Sequence, residues 1–228
     1  MEPITMTIAG VAIVVSASVA WGINKYQAIK RKNEEILIAA ISLHVEKEAL
    51  QKSLSTYAET YSLEEPDSEL IERFKNKIKD IFRGNIENEF LKRETVEEKR
   101  LFAQQVIYEL INSIGVKVDN IEFVHEELKG AFGETGSSNG IVTVRLDEVL
   151  LVDDPIQLIK TACHELKHCV QIQTITNNVW GYSPQRVAEY LYSWQNYVSP
   201  TSLECIEAYE KQIIEIDANK FVDAVFDL

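Results

Sequence analysis

Disulfides are not available as a framework here. Three cysteines, Cys163, Cys169 and Cys205, leave an odd count in 228 residues, which excludes the small disulfide-stapled scaffolds and reads as buried thiols in a reducing compartment. Positive charge is also short. Lysine and arginine number 23 against 36 acidic residues, a net charge of −13, and a chain without a basic face is poorly suited to phosphate backbones, so nucleic acid is not among the expected partners. No internal repeat or low-complexity segment is present. Histidine is scarce as well, with four in the whole chain. What remains is a hydrophobic content of 46% and an aromatic content of 9%, enough to bury one full core.

Charge is missing altogether from residues 4–23. That run has the length of a bilayer-spanning helix, with Trp21 and Tyr26 near its end and Lys25, Lys30, Arg31 and Lys32 following. Residues 1–24 are therefore expected to be a single-pass membrane anchor, and the basic cluster orients the remaining chain toward the cytoplasm. A cleaved signal peptide is the competing reading, since Ser18-Val19-Ala20 offers small residues at a cleavage spacing. The leading Met1-Glu2-Pro3 lacks the positive side chain that secretion uses. Residues 25–94 are expected to form a helical stalk, with a broad apolar face over 33–61 that suits a neighbouring helix or a second copy of the chain. A break at 64–68 precedes a helix over 68–82, with Ser68 as its cap, and a further helix over 95–114 stops at Gly115.

Two of the four histidines fall in one pentapeptide, His164-Glu165-Leu166-Lys167-His168. On an α-helix residues i and i+4 share a face, so both imidazoles can reach one metal ion while Glu165 points at a water on it. The preceding residues support a helix, with Pro155 in the first turn and Ile156, Ile159, Ala162 and Leu166 at helical spacing. Upstream, residues 118–124 and 140–146 read as strands, and the Gly/Ser/Asn stretch 133–140 as a turn region. His44 and His125 read as ordinary histidines. The aromatic span from Trp180 to Tyr197 suits the core of two linking helices better than a cleft wall.

The HELKH segment, followed downstream by Glu215-Ile216-Asp217-Ala218-Asn219-Lys220-Phe221, resembles the gluzincin-type zincin metallopeptidases over about residues 105–228. In that family a later helix carries a pattern of the form E-x-x-A-[DN]-x-x-[AG]. The resemblance implies an α+β fold, mainly helical with a small sheet, and a catalytic domain over 95–228. It further implies a Zn²⁺ cofactor held by His164, His168 and Glu215, with Glu165 as general base and Asn219 bonding a ligand histidine. Glu207, Glu210 and Asp217 compete for the third ligand position, but Glu215 aligns with Ala208, Ala218 and Val222 on a largely apolar face. The activity implied is peptide-bond hydrolysis on a peptide or protein substrate lying along a sheet edge. An oxyanion donor is expected among Tyr182, Tyr190, Tyr192, Tyr197 and Tyr209, which the sequence does not separate. A non-catalytic membrane-associated assembly protein on the same fold is the alternative, and a purely structural metal a third.

Overall fold

Helices begin where the sequence can cap them. In the computed structural model, which describes residues 61–227 apart from 126, 127, 129, 130, 153 and 200–202, α1 (Glu65–Phe82) starts earlier than Ser68. Pro66 sits in the first turn, where its missing N–H costs nothing, and the Asp67 carboxylate accepts the Glu64 N–H at 2.8 Å. The expected break at 64–68 is thus the start of the helix itself. After α2 (Ile86–Leu91), α3 (Val96–Ile114) has Thr95 and Glu98 in a reciprocal capping box and ends at Gly115 in the left-handed conformation, as the sequence indicates.

Three strands follow: β1 (Asn120–Val124), β2 (Gly133–Ser138) and β3 (Ile141–Asp147). Their order is β1-β3-β2, with β1 parallel and β2 antiparallel to β3. Residues 133–138, expected as part of a turn, are extended because β3 pairs them along their length. The turn is only Asn139-Gly140, with φ of 53° and 78°, the left-handed pair that a two-residue hairpin requires. β2 stands at the sheet edge, so its outer side has no strand partner among the described residues.

A 3-10 turn (Glu148–Leu151) leads into α4 (Pro155–Asn177), whose N-cap Asp154 accepts the Gln157 N–H at 2.9 Å. Leu158, Ile159, Ala162, Cys163, Leu166, Cys169 and Val170 of α4 are buried among Leu70 and Phe74 of α1, Ile107 and Leu110 of α3, and Val144 and Leu146 of β3. α1 and α2, inside the expected stalk interval, therefore share this core. Then come α5 (Pro184–Gln195), α6 (Leu203–Glu210) and α7 (Ile213–Phe226).

Residues 209–221 do not form one continuous helix, because the chain breaks at Lys211-Gln212 between α6 and α7. Gln212 is extended and its carboxamide holds Val198, accepting from the Val198 N–H at 2.9 Å and donating to its carbonyl at 3.0 Å. Glu215 consequently lies in the first turn of α7, where the helix dipole favours a carboxylate.

The architecture is mainly helical with a small three-stranded sheet, an α+β fold. Among the described residues no helix is long and apolar enough to cross a membrane. The expected anchor and the stalk helix upstream of Tyr61 lie outside them.

Candidate metal centre

α4 places His164 and His168 one turn apart with their Nε2 atoms 3.0 Å from each other. α7, packed against α4, brings in Glu215: Oε2 is 3.2 Å from His164 Nε2 and Oε1 is 3.5 Å from His168 Nε2. A tetrahedral ion with bonds of about 2.0–2.1 Å separates its ligand atoms by about 3.3 Å, close to the distance between the two Nε2 atoms and to the distance at which one Glu215 oxygen meets each ring, so this triangle of side chains approaches the size of one face of such a site. His164, His168 and Glu215 form a group able to hold a cation, and the set of two imidazoles and one carboxylate fits zinc with a position left for water. Of the competing acids, Asp217 is buried away from the rings against Lys167, and Glu210 is exposed. The Glu207 side chain lies outside the described residues.

Burial makes the triangle electrostatically tight. His168 is 4% exposed and Glu215 1%. Desolvation would lower the His168 pKa, but the Glu215 carboxylate and, less strongly, Glu165 outweigh it and push it up to about 9. Desolvation likewise would raise Glu215, yet the His168 charge and the hydrogen bonds from both rings hold it well below the usual carboxylate range. A cation held here would take the place of the proton that Glu215 favours on His168.

Glu165 stands beside the triangle rather than in it, 4% exposed and lining cavities on both sides of the site. β2 fixes it. The Thr135 hydroxyl lies 2.7 Å from Glu165 Oε2 and 3.0 Å from the Glu165 carbonyl oxygen. Gly133 leaves the room: a Cβ there would fall 2.7 Å from Glu165 Oε1 and 2.8 Å from both its Cγ and Thr161 Cγ2. Nothing in the sequence pointed to Thr135 or Gly133, because both reach Glu165 through the strand pairing. Asn219, expected to bond a ligand histidine, is exposed. The Nδ1 of His168 instead faces Gln171 Oε1 at 2.8 Å. Gln171 lies three residues beyond His168 on the same helix, a spacing that could have flagged it.

The cleft has two lobes. One, of about 280 Å³, is walled by Trp194, Tyr197 and Tyr209 next to Glu165, His168 and Glu215. The other, of about 370 Å³, lies on the His164 side with Phe132, Ile206 and Val222. The aromatic span therefore divides: Tyr182 and Tyr190 are buried behind α4, while Trp194 packs edge-on to the His168 ring at 5.7 Å and stacks with Tyr197. Of the five tyrosines, Tyr197 and Tyr209 line the cleft, and Tyr192 lines neither lobe. Desolvation, then the charge of Glu215, pushes both phenols well above their usual range, so both remain protonated donors.

Comparison with family models, curated proteins and solved structures finds no match to this chain.

Proposed function

We propose that this chain is a zincin-like, zinc-dependent metallopeptidase, and that residues 1–24 anchor it in a membrane with the catalytic domain on the cytoplasmic side. The observation that carries the proposal is the meeting of His164, His168 and Glu215, one ligand atom from each lying within 4.8 Å of the others, beside a buried carboxylate that is not part of the group. A zinc ion held by these three residues would supply a Lewis acid and bring the pKa of a water toward neutrality.

The chain's own residues supply the remainder. Glu165, braced by the Thr135 hydroxyl, accepts the proton of the attacking water and passes it to the leaving amine. Tyr197 and Tyr209 offer protonated phenols to the oxygen on which charge builds. The outer side of β2, which has no strand partner among the described residues, offers its backbone to an extended peptide, so that a scissile bond would lie in the cleft between the two lobes.

The test separates an enzyme from a scaffold built on the same fold. Glu165→Gln is expected to keep stoichiometric zinc and the wild-type melting behaviour while amide hydrolysis falls by about 10²–10⁴-fold. Zinc content by atomic emission and peptide cleavage by mass spectrometry read the two properties independently. Unchanged cleavage in this variant would remove the general base from the proposal, and an absence of zinc from the wild type would remove the centre.

A further inference from the structure

Lys167 precedes His168 in sequence yet points to the opposite side of α4, where it is fully buried. Its Nζ lies 2.5 Å from Asp67 Oδ1, 3.0 Å from Asp217 Oδ2, 3.0 Å from the Tyr182 hydroxyl and 3.3 Å from the Tyr190 hydroxyl. Asp217 is the hub of this cluster. Its Oδ2 accepts from Tyr190 at 2.7 Å and from Gln171 Nε2 at 2.7 Å, and its Oδ1 accepts from Tyr61 at 2.5 Å. Gln171, itself fully buried, also donates from Nε2 to the Ile214 carbonyl oxygen at 2.9 Å.

Those two bonds settle which way the carboxamide faces. A carboxylate and a carbonyl oxygen can only accept, so the NH₂ group of Gln171 must lie toward them and its oxygen must lie toward His168. The atom 2.8 Å from that oxygen is His168 Nδ1, which must therefore carry a hydrogen. In the neutral ring the lone pair is then on Nε2, the atom that faces His164 and Glu215.

We infer that Gln171 and Asp217 act as a positioning relay that locks His168 in the Nδ1–H tautomer and aims its Nε2 at the metal. The inference rests on the three-ligand reading above. One helix, α7, then supplies both a ligand, Glu215, and, two residues later, the fixed carboxylate that orients the opposite ligand through Gln171. Asp217 is itself immobilised by the Lys167 ammonium and two phenols, so the orientation of His168 is set from the core rather than from the cleft.

Zinc affinity of the full-length chain, measured by competition with a chromophoric chelator, tests the relay together with long-range ¹H–¹⁵N spectra of the histidine rings in the zinc-loaded wild type. The spectrum is expected to show His168 protonated on Nδ1 and metallated on Nε2. Gln171→Met, which fills the space without an acceptor, is expected to lose about 10–100-fold in zinc affinity. A loss below twofold in Gln171→Met overturns the relay, as does metal on His168 Nδ1 in the wild-type spectrum, a readout that a purely structural role for Gln171 does not move. Should Gln171→Met not fold, the wild-type spectrum decides alone, and metal on Nδ1 overturns the inference. Zinc lost in His164→Ala and Glu215→Gln but kept in Gln171→Met refutes the relay and leaves the centre intact. Zinc retained in all three refutes the centre and the relay with it.

Discussion

A methyl group at position 133 has nowhere to go. Gly133 lies against the Glu165 side chain and Thr161 so closely that a Cβ would overlap both, and neither neighbour is on the surface. Gly133→Ala is therefore expected to destabilise the fold by about 1–3 kcal/mol through overpacking. Because the displaced group is the proposed general base, it is also expected to lower peptide hydrolysis by at least about tenfold, since small misplacements at a reacting centre are costly. Urea unfolding and turnover measured on one preparation check both effects, and wild-type turnover would show that Glu165 tolerates the shift. At this scale the histidine pair and Glu165 were legible because their chemistry demands a local spacing. Thr135 and Gly133 were not, since they sit about 30 residues from Glu165 and meet it only when a sheet edge packs on the helix.

At the scale of elements, capping residues explain where the sequence reading held and where it slipped. α4 was recognisable from Pro155 and its apolar spacing, and its first turn is closed by Asp154. Asp154→Ala is expected to cost about 1 kcal/mol, as loss of an N-cap does, read as a lowered urea midpoint with an unchanged slope and an unchanged cleft. β2 escaped notice because it holds one strand-favouring residue, Thr135, between two glycines that disfavour strands, and depends on β3 to hold it extended. The split between α6 and α7 escaped notice for a similar reason. Gln212 leaves the helix to bond the backbone of Val198, 14 residues away, and helical periodicity carries no record of such a partner.

For the whole molecule, the buried charges behind α4 tie distant parts of the chain together. Lys167, Asp67, Asp217, Tyr182 and Tyr190 come from α4, α1, α7, the loop before α5, and α5 itself, and Tyr61 joins them from ahead of α1. Burial opposes the Lys167 charge, but Asp217, Tyr182 and Asp67 more than restore it, holding the ammonium above its usual range. Lys167→Met removes the nearest cation from both buried carboxylates and leaves Asp217 only the more distant Arg186, at 4.0 Å. It is expected to destabilise the protein by about 3–5 kcal/mol, measured by urea unfolding. Near-wild-type stability would mean that the tyrosines and Arg186 satisfy both acids without Lys167. Nothing in the sequence marked Lys167 for this role, because a lysine within a charged motif on a helix ordinarily stays solvated.

The amino-acid order by itself indicated the grouping of His164, Glu165 and His168 and the mainly helical character, because both follow from periodicity within a helical turn, while Glu215 came from the resemblance and the fold brings it to the two rings. Tertiary structure alone decided that Gln171, rather than Asn219, meets His168, that Tyr197 and Tyr209 face the cleft, and that β2 braces Glu165. Those outcomes depend on which helix and strand faces are pressed together, and packing of non-local surfaces leaves no local pattern to read.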